Sequence, residues 1–171
     1  MTPADLQNCL IERIKVALSN TPLPTLYNDS KPFQVFKQEV PEQHSDEIEY
    51  DEDGEMINED ERFPFVCVKL MPGAQEANHE ALVQKVGLII GVHNDDLNRK
   101  GFDDAIAAMQ VIMNDLNENP IIDDRYPLQY PINWNPHEED TFPYFFIGID
   151  LSFEMLTMRN LGGLHSGYQI R

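Results

Sequence analysis

The chain has 171 residues, 42% of them hydrophobic, and sets 30 Asp and Glu against 12 Lys and Arg for a formal net charge of −18. That length suits one domain with its own core, and the hydrophobic share excludes disorder throughout. The charge excludes ordinary adhesion to the nucleic-acid backbone, where cations displacing counterions supply the affinity, and disfavours an anionic membrane surface for the same reason.

Thr2, Pro3 and Asp5 spell a capped helix start. Leu6, Leu10, Ile14 and Ala17 then share one face at helical spacing, joined by Ile11 and Leu18, and Ser19-Asn20-Thr21-Pro22 ends the helix. Asp5 and Glu12 inside this apolar pattern are unlike a signal peptide. Leu23 to Pro32 reads as a connection. Phe33 to Val40 is strand-like, and its expected hairpin partner is Phe63 to Leu70, with Phe65, Cys67 and Lys69 facing one way and Val66, Val68 and Leu70 the other. Between them Glu39 to Arg62 holds 12 of the 30 acids, too charged to bury and too long for a hairpin loop. It is read as an inserted arm with Asp53-Gly54 as its own tight turn, where Ile48, Tyr50, Met56 and Ile57 could pair.

Gln84 to His93 alternates as a strand, Val86, Leu88, Ile90 and Val92 on one face and Gly87, Ile89 and Gly91 on the other. Gly101 opens a second helix with a wide apolar stripe of Phe102, Ala105, Ile106, Met109, Ile112, Met113 and Leu116, and Asn119-Pro120 closes it. Tyr126 to Trp134 contains Pro127 and Pro131, so it belongs at a sheet edge or is bent. Pro143 to Leu156 is the longest strand candidate, with Phe145, Ile147, Ile149, Leu151, Phe153 and Met155 on one face. No stretch approaches the ~20 apolar residues of a membrane span.

The expected fold is α+β: a mostly antiparallel five-stranded sheet with two amphipathic helices, in the order α-β-β-β-α-β-β. Residues 1–157 form a single domain, 41–62 the acidic hairpin arm inserted between the first two strands, and 158–171 an extended C-terminal tail.

The residues that could carry chemistry are scattered. Cys9 and Cys67, in a helix and an apolar strand, read as small buried hydrophobes that suit a reducing compartment. With Gly54 as the sixth position of a calcium loop, Glu49, Asp51, Asp53 and Asp60 fall at its first, third, fifth and twelfth positions. The first ligand should be Asp and the last Glu, and a strand stands where a helix should exit. A solvated acidic hairpin is therefore the preferred reading. His93-Asn94-Asp95-Asp96 and His137-Glu138-Glu139-Asp140 lack zinc spacing. No phosphate loop or nucleophile elbow occurs. The expectation is a structural protein, with no catalytic residue, metal or cofactor, whose interface candidates are Asp51, Glu52, Asp53 and the amphipathic Trp134.

Leu97-Asn98-Arg99-Lys100-Gly101-Phe102, then Tyr126-Pro127-Leu128 with Pro131-Ile132-Asn133-Trp134, then Asp140-Thr141-Phe142-Pro143-Tyr144-Phe145-Phe146 resemble tail terminator proteins of long-tailed bacteriophages. The element order is similar to theirs, while the arm is longer than the family explains. The resemblance implies a ring, usually hexameric, that caps the tail tube, meets the neck or stopper protein, and lets DNA pass through its bore without specific binding. The chain would be made in the host cytoplasm and reside in the virion tail or neck. A stopper or other head–tail connector, and an acidic DNA-mimic binding protein, are the alternatives. A mimic should spread its acids at phosphate-like spacing, whereas 12 of them concentrate here in one arm.

Overall fold

The computed structural model describes residues 2–19, 31–43, 52–53, 60–78 and 80–155. Helix α1 spans Pro3–Ser19. Its start is the reciprocal cap expected from the sequence: Asp5 N donates to Thr2 Oγ1 at 3.2 Å and Thr2 N to Asp5 Oδ2 at 2.8 Å. Strand β1 follows at Gln34–Lys37, β2 at Phe65–Leu70 and β3 at Leu82–His93. Helix α2 covers Lys100–Glu118, and β4 (Ile121–Ile122), β5 (Tyr126–Pro136) and β6 (Tyr144–Met155) complete the chain's elements among the described residues.

The class is α+β, but the sheet is mixed and has six strands, in the order β1-β2-β3-β6-β5-β4. Two details of the five-stranded expectation are corrected. First, β1 and β2 are parallel, Gln34 beside Phe65 and Lys37 beside Val68, and not a hairpin. The chain bends at Gln38, whose φ of 70° lies in the left-handed region, and Val40 then packs against the cluster of Phe63, Phe65 and Cys67. Arg62 Nη1 donates to the Pro41 carbonyl at 3.0 Å, so the two ends of the acidic segment lie side by side. A segment this long can carry the chain back for a parallel strand, which a two-residue turn cannot do. Second, the short β4 pairs with the start of β5, Ile121 with Pro127 and Ile122 with Tyr126.

The expected strand faces are correct. Val66, Val68, Val86, Leu88, Ile90, Val92, Ile147, Ile149, Leu151 and Phe153 join the apolar faces of both helices in one core. Both helices therefore lie on one side of the sheet. Full burial of such aliphatic side chains stabilises by roughly 1.5–3 kcal/mol each, which makes this layer the main support of the fold. On the opposite face Phe63, Phe65 and Cys67 are buried among Phe36, Val40, Ile89, Tyr144 and Phe146. Gly91 permits this: a Cβ there would stand 2.5 Å from the Phe65 ring.

Beyond β1 the Gln38 side chain continues the ladder, its Oε1 accepting from Leu70 N at 2.9 Å while its backbone N–H donates to Val68 O at 2.8 Å. Buried Gln7 of α1 ties in by donating to Val68 O at 2.8 Å. At the other side, β5 has the irregularity its prolines led one to expect, a register shift against β6 between Gln129 and Asn133.

Candidate functional site

At one end of the sheet meet the end of β3, the start of α2, the β5–β6 turn and the base of the acidic segment. Three loops converge there for local reasons. Asn94 ends β3 with its side chain accepting from Asp96 N at 2.9 Å, and its N–H donates to the Pro143 carbonyl at 3.0 Å. Arg99 takes a left-handed conformation (φ 58°) that turns the chain into α2. Gly101 then passes so close to Phe145 that a Cβ would meet the ring at 2.5 Å and Asn94 Cβ at 2.8 Å.

Arg99 reaches across to the β5–β6 turn. Its Nη1 donates to Asp140 Oδ1 at 2.9 Å and its Nη2 to Oδ2 at 2.8 Å, a bidentate pair. Its Cζ lies 6.0 Å over the Phe142 ring. The Arg99 hydrogen bonds, with the Phe142 N–H, pull the Asp140 carboxyl down to about 2. Beside this clamp lies a cleft of about 360 Å³, lined among others by Phe102, Asp103, His137, Glu138 and Glu139.

The base of the acidic segment docks on the neighbouring part of the same end. Asp60 is only 5% exposed. The expectation that Glu39 to Arg62 is too charged to bury is thus corrected at its last residues, because a charge tolerates burial when it is paired. Arg62 Nε donates to Asp60 Oδ1 at 2.8 Å, and its Nη2 bonds Oδ2. Burial pushes the Asp60 carboxyl up, but the Arg62 hydrogen bonds outweigh this and leave it below its usual range. Phe63 next to it packs on Tyr144 with ring centroids 5.1 Å apart, and His93 packs on Tyr144 at 4.9 Å.

The other residues singled out from the sequence lie apart. Trp134 sits on β5 opposite Ile149 and is 42% exposed. Glu52 and Asp53 are exposed. Glu49 and Asp51 lie outside the described residues, as do Ile48, Tyr50, Met56 and Ile57 and the 158–171 tail. Of the calcium-loop pattern, Asp60 has both carboxylate oxygens engaged by Arg62. Burial raises the thiols of Cys67 and Cys9, with Asp123 adding to the rise at Cys9, so neither is poised as a thiolate. The Arg99–Asp140 and Asp60–Arg62 pairs were not anticipated. A signal existed for the first, since Arg99 and Asp140 belong to two of the segments that carry the family resemblance.

No protein-family model and no curated protein matches this chain. Among solved structures it is similar to a protein whose name states no function, at 14% identity and a TM-score of 0.50, covering 92% of this chain and 98% of that one. At that identity the likeness is one of fold.

Proposed function

We propose that this chain is a tail terminator protein of a long-tailed bacteriophage, a ring-forming structural subunit that caps the tail tube and joins it to the neck. One observation carries the reading: two of the three segments in which the resemblance is written, 97–102 and 140–146, meet in the fold. Arg99 of the first clamps Asp140 of the last, and Gly101 packs on Phe145. A motif whose distant parts form one structural unit is better evidence than its separate words.

The physical chemistry supports the same role. A protein of net charge −18 around a bore repels DNA phosphates and lets the duplex pass without adhering. Closed rings need a heterologous interface, two different surfaces of one subunit that meet by rotation, and this sheet presents two different edges, β1 on one side and on the other β5 beyond the two residues that β4 covers.

The deciding experiment measures the mass of the purified protein in solution, with and without its tail tube protein, alongside electron microscopy of a lysate lacking the gene. A ring that binds tube ends, with filled heads and separate or overlong tails in the lysate, is expected. Normal tails joined to heads in its absence would overturn the reading and bring the DNA-mimic alternative forward.

A further inference from the structure

We propose that the outer edge of β5 receives β1 of a second copy of this chain, antiparallel, with Val35 opposite Trp134. The proposal rests on the ring reading and specifies how the ring would close.

The hydrogen-bonding directions of the two edges carry it. His137 N donates to the Phe146 carbonyl at 2.9 Å, and Asn135 and Asn133 pair with Gly148 and Asp150. Alternation along a strand therefore turns the N–H and C=O of Trp134 away from β6. On β1, Gln34 N donates to the Pro64 carbonyl and Gln38 N to the Val68 carbonyl. The same alternation turns Val35 and Lys37 outward. Neither outward edge has a strand partner among the described residues, β4 covering β5 only at Tyr126 and Pro127.

Length and side agree as well. Pro131 and Pro136 have no N–H, so the donor-bearing stretch of β5 between them is Ile132 to Asn135. Strand β1 is Gln34–Lys37, 4 residues long. Antiparallel pairing sets Gln34 against Asn135, Val35 against Trp134, Phe36 against Asn133 and Lys37 against Ile132, filling the stretch end to end. Val35 packs with the main core, so it lies on the helix side of the sheet; Trp134 shares that side with its neighbour Ile149. The paired side chains thus fall on matching faces. The indole, 42% exposed in the single chain, is covered by the incoming strand. Continued outward, the register brings Lys31 opposite Glu138, opposite charges on either side of the joint.

Direction agrees too. Within one sheet β1 runs antiparallel to β5, as the pairings from β1 through β2, β3 and β6 require. A copy rotated about an axis along the strands offers its β1 antiparallel to β5, the direction this register needs. Each subunit then gives one edge and receives the other, a heterologous joint that closes by rotation.

Disulfide trapping tests this directly. Gln34 and Asn135 become neighbours in a non-hydrogen-bonded pair, about 4.5 Å between Cα atoms, within disulfide reach. Inside one chain β2, β3 and β6 separate the two positions, a span of about 19 Å that no disulfide bridges. In a Cys9→Ser background, Gln34→Cys with Asn135→Cys should give, on mild oxidation, a reducible ladder of multimers ending at the ring number. Each single variant should not, and Gln34→Cys with Asn133→Cys, out of register, should give much less. Phe36→Cys with Asn133→Cys reads the same register if the first pair fails to fold. A protein that is multimeric by mass yet yields no ladder overturns the edge pairing and leaves the ring reading standing. A protein that stays monomeric with tail tube protein present overturns both.

Discussion

Arg99 and Asp140 stand 41 residues apart in sequence and meet through two parallel N–H···O bonds that pin the β5–β6 turn to the start of α2. Asp140→Asn keeps the size and loses the charge, so the turn should loosen while the core stays intact. Hydrogen exchange should quicken at Tyr144 N–H, which the turn closes onto the Thr141 carbonyl, with little change at β3. Because the Asp140 carboxyl is held down to about 2 in the folded chain, the clamp is fully present above the ordinary carboxylate range and is lost as pH falls through about 2. An NMR titration of the Asp140 carboxyl reads this directly.

Shortening the acidic segment should succeed only if its docked end is kept. Replacing residues 44–59 with a short Gly-Ser turn should preserve cooperative unfolding, since Arg62 already bonds the Pro41 carbonyl across the base. Asp60→Ala should instead cost about 1–2 kcal/mol, discounted for an Arg62 side chain that is 31% exposed. The Asp60 carboxyl is lowered in the folded chain, so this contribution is present above the usual carboxylate range and fades as pH falls below it. Denaturant melts at pH 7 and at pH 3 should show the variant's deficit shrinking at the lower value.

Calcium is expected to leave the thermal midpoint unchanged at millimolar concentration. A ligand at 100 times its dissociation constant would add about 2.7 kcal/mol. A rise that disappears in Asp51→Ala with Asp53→Ala would restore the calcium-loop reading of Glu49, Asp51, Asp53 and Asp60.

The core between α2 and β6 should be unforgiving. Ile149 is 1% exposed, and Ile149→Ala should destabilise by about 2–5 kcal/mol, while Ile149→Asp should unfold a domain of ordinary stability. Gly101→Ala should cost about 1–3 kcal/mol, because its Cβ would meet the Phe145 ring and Asn94 Cβ under 3 Å. Urea denaturation of the three variants separates these outcomes.

Asp104 makes the opposite pH prediction from Asp140 and Asp60. Burial raises its carboxyl despite a hydrogen bond from Asn94, and Asp103 adds to the rise while Lys100 opposes it. The folded chain therefore holds this proton more tightly than the unfolded one, and stability declines as pH rises through the raised value. Asp104→Asn should melt higher than the parent at pH 8, with the gap closing toward pH 4.

Both helices, β3, β6 and the faces of β2 were legible because each repeats an apolar pattern at its own period over many residues. Val86 to Val92 and Phe145 to Met155 read off as buried faces without any knowledge of partners. Periodicity does not say which strands pair, and the parallel union of β1 with β2 depends on where a long polar segment carries the chain. Strand β4, with 2 residues, is too short to show a period. The candidate site was legible only in part for a similar reason. Asp60 is one acid among 12 in its segment, and what sets it apart is Arg62 and the aromatic bed beneath it.

The parallel pairing of β1 also has a kinetic side. Strand β1 must close a loop of acidic chain before Gln34 finds Phe65. Self-repulsion stretches that loop in the unfolded state and adds to its closure entropy. Closing that loop is a charge-controlled step, and added salt should accelerate folding more than it stabilises the finished protein.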